Sequence, residues 1–172
     1  MKKLFTNYIN TFKGLSKEVW WLSLITLINR AGTMVIPFLS LYLNKSLGFS
    51  LSEISWILPF WGLGSLVGTW LGGKLTDIVG YYKVMLVSLL FTGIFFFLLQ
   101  YITTFEGFCA GIFLVMLVAD IFRPAMFVAL SAYSKPENKT RSVTLIRLAI
   151  NLGLSAGTAV GGLIITGMSY YG

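Results

Sequence analysis

The sequence contains no histidine and only one cysteine, Cys109, among its 172 residues. The absence of histidine excludes histidine metal ligands and any Ser-His or Cys-His catalytic pair within the chain. A lone cysteine excludes a disulfide within the chain and is typical of a small buried apolar residue. The composition therefore disfavours an enzyme, and no catalytic residue, metal or cofactor is predicted.

Charge is also scarce, since charged residues make up 11% of the chain and only six are acidic. Soluble domains have about a quarter of their residues charged. Here 56% of the residues are hydrophobic, and the mean hydropathy is +0.83. This balance predicts a membrane protein.

Apolar runs long enough to cross a bilayer, which takes about 20 residues, occur five times. The predicted spans are residues 19–43, 54–76, 82–103, 107–133 and 143–169. Tight connections join them, so the predicted fold class is all-α: a polytopic helical membrane bundle that occupies residues 1–172 as one domain. Ser16, and either Ser50 or Ser52, are candidate N-caps, and Pro136 is expected to end the fourth helix.

Basic residues predict the orientation in the membrane. With the N-terminus in the cytoplasm, nine lysines and arginines fall on the cytoplasmic side and only Lys45 falls outside. The chain is thus predicted to be a multi-pass protein of the inner (plasma) membrane. Its net charge of +7 is explained by this topology and by anionic lipid, so no nucleic-acid partner is predicted.

Within the predicted spans, the candidate site residues are four charged residues, Arg30, Asp120, Arg123 and Arg147, together with Asn151, which shares a helix face with Arg147. A charge at the bilayer centre costs about 2.5–3.5 kcal/mol on insertion scales, and such residues usually mark functional sites. Asp120 and Arg123 are three apart, so they share a helix face and can pair. Because the first and fourth helices are antiparallel, we expect Arg30 to lie at a similar depth and to line the same cavity. An internal ion pair that only fixes packing is the alternative.

Two spans carry glycines at intervals of four residues. Gly64, Gly68 and Gly72 lie in the second span, and Gly153, Gly157 and Gly161 lie in the fifth. This spacing puts each set on one helix face, where another backbone can approach closely. We expect each glycine face to meet a neighbouring helix.

The segment GGKLTDIVGYYK, residues 72–83, resembles the loop motif of the major facilitator superfamily between its second and third helices. The matching residues are Gly73, Leu75, Asp77 and Gly80, with Lys83 in the basic role that follows the motif. Asp77 ends a helix whose own dipole repels its charge, so it requires a partner elsewhere. The resemblance implies that this partner is a helix end in the other half of the transporter, approached closely at Gly72 and Gly73.

The fifth span adds a second resemblance, to the glycine motif of drug–proton antiporters in the same superfamily. Gly153, Gly157, Gly161 and Gly162 match this motif, and Thr158 takes the place of its proline. Arg123 is similar to the intramembrane arginine of the family's fourth helix. The chain therefore resembles the N-terminal half of such a transporter, with five of its helices covered and the C-terminal remainder absent.

These resemblances imply a secondary transporter that moves a small solute by alternating access. Its expected partners are the solute, protons, the lipid bilayer and the remaining half of the transporter. Proton-coupled efflux by antiport is favoured, and Asp120 is the expected proton carrier. A symporter or uniporter for a small, possibly anionic, solute is the first alternative. A membrane assembly subunit without transport activity is the second. Separately, the alternative to a missing transporter half is that the five helices form a symmetric dimer that pairs the glycine faces.

Overall fold

N-cap residues account for where two helices begin in this protein. The computed structural model describes residues 12, 14–32 and 35–169. Ser50 caps a long helix through a capping box: its hydroxyl accepts from the Glu53 amide, and the Glu53 carboxylate accepts from the Ser50 amide. The Ser16 hydroxyl accepts from the Val19 amide over 3.4 Å and donates to the Tyr133 carbonyl over 2.9 Å. The predictions of Ser16 and Ser50 as N-caps are therefore confirmed.

The described residues form six α-helices and one short 3-10 helix, and they contain no β-strand. The α-helices are α1 (Lys17–Gly32), α2 (Val35–Lys45), α3 (Leu51–Val79), α4 (Tyr81–Leu99), α5 (Phe105–Tyr133) and α6 (Lys139–Ser169). The 3-10 helix, Pro136–Asn138, follows the end of α5 as Pro136 predicts. The prediction of an all-helical fold is confirmed.

Among the described residues, four helical segments are long and apolar enough to cross a membrane: α3, α4, α5 and Pro136–Ile164, which includes most of α6. Their bounds lie within a few residues of the second to fifth predicted spans. The first predicted span, residues 19–43, coincides with α1 and α2, which are 16 and 11 residues long. Residues 33 and 34 lie outside the described part, so a single first span stays a prediction.

The chain divides into two compact units, and residues 1–38 and 130–172 form the first of them. In this unit α1 packs along α6. The side chains of Val19, Leu22 and Thr26 on α1 are buried, as are Leu145 and Ile146 on α6. Asn138 donates to the Gly14 carbonyl over 3.1 Å, which fastens the segment before α1 to the start of α6.

The second unit comprises residues 39–129 and contains α3, α4 and most of α5. Its core consists largely of one face of α5, where Phe108, Ile112 and Val115 are almost fully buried. Large apolar side chains elsewhere in this unit are exposed, including Leu66 at 70% and Ile78 at 80% on α3. Exposed apolar surface of this kind fits contact with lipid, as expected for membrane-spanning helices.

Candidate functional site

Asp120, on α5, is the centre of the polar cluster in the second unit. It is 7% exposed and accepts a hydrogen bond from the Ser65 hydroxyl of α3. Its Oδ1 lies 3.6 Å from Nε of Arg123. A buried carboxylate is stable only when its charge is compensated by donors and cations, and this one has both. The predicted Asp120–Arg123 pair is confirmed.

The glycines of α3 bring Ser65 within reach of Asp120. A Cβ placed on Gly64 or Gly68 clashes with the backbone of α5 at Phe113 or Leu117. One turn further along, a Cβ on Gly72 falls 2.6 Å from the Ile121 carbonyl oxygen. The two backbones can therefore approach so closely only because side chains are missing along this line. Ser65 lies beside that contact, and its short side chain spans the remaining gap.

Sequence reasoning missed Ser65. The available signal was a serine inside the glycine repeat, in the segment GLGSLVG, residues 62–68. Small polar residues on a close-packed membrane helix often hydrogen-bond across to the neighbouring helix.

The Asp120–Arg123 pair is asymmetric, because the Arg123 side chain is 48% exposed and that of Asp120 is 10% exposed. The Arg123 guanidinium thus keeps N–H donors available on the side that faces away from the Asp120 carboxylate. Arg123 can therefore neutralise the charge of Asp120 and also present positive charge to a ligand.

The other three predicted site residues belong to the first unit. Arg30 lies near the end of α1, where its Cβ packs against Gly153. Arg147 and Asn151 lie one turn apart on α6, and both are exposed. Asp120 and Arg123 belong to the second unit, so one cavity lined by all five residues stays a prediction.

The loop motif places its residues around a one-residue connection between α3 and α4. Gly80 has φ 90°, a left-handed conformation that side chains disfavour, so the predicted tight turn is confirmed. Asp77 is exposed in the last turn of α3, and no hydrogen bond or ion pair joins it to another described residue. Its partner stays a prediction. Leu75 and Lys83 line an apolar groove beside the loop.

The glycine motif of α6 packs against α1. A Cβ on Gly153 falls 2.5 Å from the Leu27 carbonyl oxygen, and one on Gly157 falls 2.5 Å from the Ala31 carbonyl oxygen. Gly161 is buried and Gly162 is half-buried. Thr158 replaces the motif's proline, and α6 continues through this position because threonine, unlike proline, has a backbone N–H. The Thr158 hydroxyl donates to the Leu154 carbonyl over 2.9 Å.

One sequence-based interpretation is wrong. Gly72 was expected to face the other half of the transporter, but a Cβ there meets Ile121 and Pro124 of α5 within the same chain. The physical reason is that Gly72 continues the face of Gly64 and Gly68, four residues apart, and that face is already in contact with α5. Gly73 has nothing within 4 Å of its Cβ position.

The family assignment rests on the sequence profile of the Major Facilitator Superfamily, which matches residues 22–172. The chain belongs to the major facilitator superfamily. Its helical composition and its four candidate spans fit a multi-pass membrane domain of that superfamily. This membership points to a membrane transporter and away from an enzyme.

Two curated relatives of this superfamily come from Bacillus subtilis (strain 168). The chain is 24% identical over 135 residues to the uncharacterized MFS-type transporter YceJ, an alignment that covers 78% of this chain and 34% of the relative. It is 29% identical over 160 residues to the uncharacterized MFS-type transporter YqjV, covering 87% of this chain and 37% of the relative. The chain thus spans about a third of the length of these relatives.

Proposed function

We propose that the protein containing this chain is a secondary transporter that moves a small solute by alternating access and couples it to protons through Asp120. Membership of the superfamily and the names of the two relatives support transport. The observation that carries the coupling is the buried Asp120 carboxylate, held between the Ser65 hydroxyl and Arg123.

The geometry of this cluster suits reversible protonation. The Ser65 hydroxyl donates to the charged carboxylate and, by rotating, accepts from the neutral acid, so it serves both states. Arg123 supplies a counter-charge to the carboxylate, since its Nε lies 3.6 Å from Oδ1. When an anionic group or a rearrangement draws Arg123 away, Asp120 loses its counter-charge and takes up a proton. Proton binding is then coupled to the occupancy and conformation of the site.

Antiport is the favoured mode of coupling, because four glycines match the antiporter motif: Gly153, Gly157, Gly161 and Gly162. The close contact of Gly153 and Gly157 with α1 supports a role for this motif in helix packing. We propose that Arg30, Arg147 and Asn151 complete the solute and proton pathway.

Reconstitution of the full-length protein tests the coupling. A pH-sensitive dye trapped in proteoliposomes reports proton movement while a panel of candidate solutes is added outside. Wild type should exchange protons for at least one solute. Asp120→Asn should still exchange labelled for unlabelled solute, but a pH gradient should no longer drive net accumulation. Unchanged gradient-driven accumulation in Asp120→Asn contradicts the proposed role.

A second candidate function is uniport or symport of a small anionic solute. The half-exposed guanidinium of Arg123 favours it, because such a group can bind a carboxylate or phosphate of the solute. In this case Arg123→Gln abolishes binding of the anion, whereas Asp120→Asn leaves uncoupled flux intact. An assembly subunit without transport activity predicts no flux of any solute.

We also propose that transport requires helices beyond those in this chain. The length of the two relatives supports this, as does the charge of Asp77, which has no ion pair among the described residues. The proposed setting is the lipid bilayer of the plasma membrane, with the N-terminus in the cytoplasm. In a background that lacks Cys109, cysteines introduced at Lys45 and Lys139 should react with an impermeant thiol reagent from opposite sides. Labelling of both from one side contradicts this topology.

A further inference from the structure

A groove with a volume of about 240 Å³ runs along the second unit beside the loop motif. Residues from three helices line it, among them Leu75 of α3, Val87 and Phe91 of α4, and Val118 of α5. The distance along α4 from Lys83 to Phe91 is eight residues, or about 12 Å at the rise of an α-helix. The groove therefore extends for about 12 Å along α4, and one end lies at the α3–α4 connection.

Apart from Lys83, the lining of this groove is suited to a hydrocarbon chain. Apart from Lys83, its single polar side chain is Ser88, whose hydroxyl donates to the Val118 carbonyl over 2.6 Å. That hydrogen bond uses the hydroxyl proton within the chain and leaves only aliphatic and aromatic surface for a ligand. A polar solute placed here would lose its hydration without compensation.

Lys83 puts a positive charge at one end of this apolar surface. It lies in the first turn of α4, a turn that contains no acidic residue and whose start has no side-chain cap. A cation at a helix N-terminus is repelled by the helix dipole, so this position favours a bound anion. No carboxylate of the described residues lies within ion-pair distance of Lys83, whereas Asp120 has Arg123.

The other lysine of the loop differs in this respect. The Lys74 ammonium lies 4.0 Å from the centre of the Trp70 ring and is stabilised there by a cation–π contact. Lys74 does not line the groove. The two lysines thus carry the same charge on either side of the turn at Gly80, but of the two only Lys83 lies at an end of the groove.

We propose that this groove binds one anionic phospholipid, with an acyl chain between α3, α4 and α5 and the phosphate at Lys83. The charge of Lys83 selects the anionic headgroup, and the apolar lining holds the tail. The exposed Tyr82 ring beside Lys83 fits the interfacial position of a headgroup. The site does not depend on the transported solute or on proton coupling.

Native mass spectrometry of the full-length protein tests the site with two probes, phosphatidylglycerol and phosphatidylcholine of equal chain length. Wild type should bind one phosphatidylglycerol in preference to phosphatidylcholine. Lys83→Gln should lower that preference about fivefold, the factor that corresponds to about 1 kcal/mol for one lysine near an anionic surface. Lys74→Gln is the matched control and should leave the preference unchanged.

A second pair of variants tests the position of the tail. Val87→Trp fills the groove and should reduce binding of both lipids, whereas Leu86→Trp adds the same ring at an exposed neighbour outside the groove and should not. Thermal unfolding of each variant controls for folding. Equal loss of preference in Lys74→Gln and Lys83→Gln, an unchanged preference in Lys83→Gln, or full binding by Val87→Trp overturns the proposal.

Discussion

The glycine faces and the loop motif of this chain both contain glycines, but they differ in packing. The glycine faces are buried against neighbouring helices, whereas the loop motif is exposed. Gly64, Gly68 and Gly72 are buried against α5, and Gly153 and Gly157 are buried against α1. The loop motif, by contrast, lies on the surface: Asp77 is exposed, and nothing lies near Gly73.

This difference separates two uses of glycine in a membrane domain. On the helix faces, the missing side chains allow backbone contact and so hold the bundle together. In the loop, Gly80 supplies a positive φ that makes the turn, and the charged residues around it are left exposed. Substitutions should therefore change stability on the helix faces and change transport or binding in the loop.

The largest loss of stability is expected for Gly68→Ala. Its new methyl group meets the backbone of α5 at Leu117, which cannot move aside like a flexible side chain. Overpacking of this kind typically lowers the free energy of unfolding by about 1–3 kcal/mol, and sometimes by more. Thermal unfolding of the purified protein in detergent measures the change.

Gly73→Ala is the matched control in the same helix, because nothing lies within 4 Å of its Cβ position. Alanine is favoured over glycine inside a helix by about 0.5–1 kcal/mol, so this variant should be equally or more stable. Equal destabilisation by Gly68→Ala and Gly73→Ala would show that a glycine of the loop motif is packed as tightly as one on the glycine face, which contradicts this difference.

A smaller but clear loss is expected for Gly157→Ala. The methyl group falls 2.5 Å from the Ala31 carbonyl oxygen and 2.9 Å from its Cα, so α1 and α6 must separate slightly. Gly167→Ala near the end of α6 is the control, since its Cβ position is open. The unfolding temperature should fall for Gly157→Ala alone. No difference between the two variants argues against close packing of α6 on α1.

Ser65→Ala should have an intermediate effect. It removes the donor to Asp120, and hydrogen bonds between membrane helices contribute about 0.6 kcal/mol on average and at most about 1.7. Ser55→Ala is the control, because that hydroxyl bonds only within its own helix to the Leu51 carbonyl. Ser65→Ala should also alter the pH dependence of transport. A normal pH profile and unchanged stability together contradict a role for Ser65 at Asp120.

Asp77→Ala should have the smallest effect on the stability of the second unit, since the Asp77 side chain is exposed and makes no hydrogen bond or ion pair with another described residue. In the full-length protein it should instead shift the balance between inward- and outward-facing states, which accessibility of introduced cysteines can measure. A marked fall in unfolding temperature with no such shift contradicts the proposed partner in the other half.

Much of this fold follows from residues visible in the sequence. The bounds of α3 to α6 follow from apolar length, from the Ser50 cap and from the turn at Gly80. The pairing of Asp120 with Arg123 follows from their spacing of three on one helix. These features are local, so the periodicity of one helix is enough to predict them.

The partners between helices could not be predicted in the same way. Glycine spacing shows that a backbone approaches Gly72, but it does not show whether that backbone is α5 or another part of the protein. Ser65 was missed for this reason, since its role depends on which helix lies opposite. The asymmetric exposure of Arg123 and Asp120 likewise depends on packing between helices.

The proposed proton coupling requires that Asp120 binds and releases a proton inside the membrane domain. Infrared difference spectroscopy of the reconstituted full-length protein tests it without a known substrate, because a protonated carboxyl group has its own carbonyl stretching band. In a pH titration, wild type should show a reversible carbonyl band that is missing from Asp120→Asn, while both proteins remain folded. The same band in both proteins, or no pH-dependent band in wild type, would contradict the account.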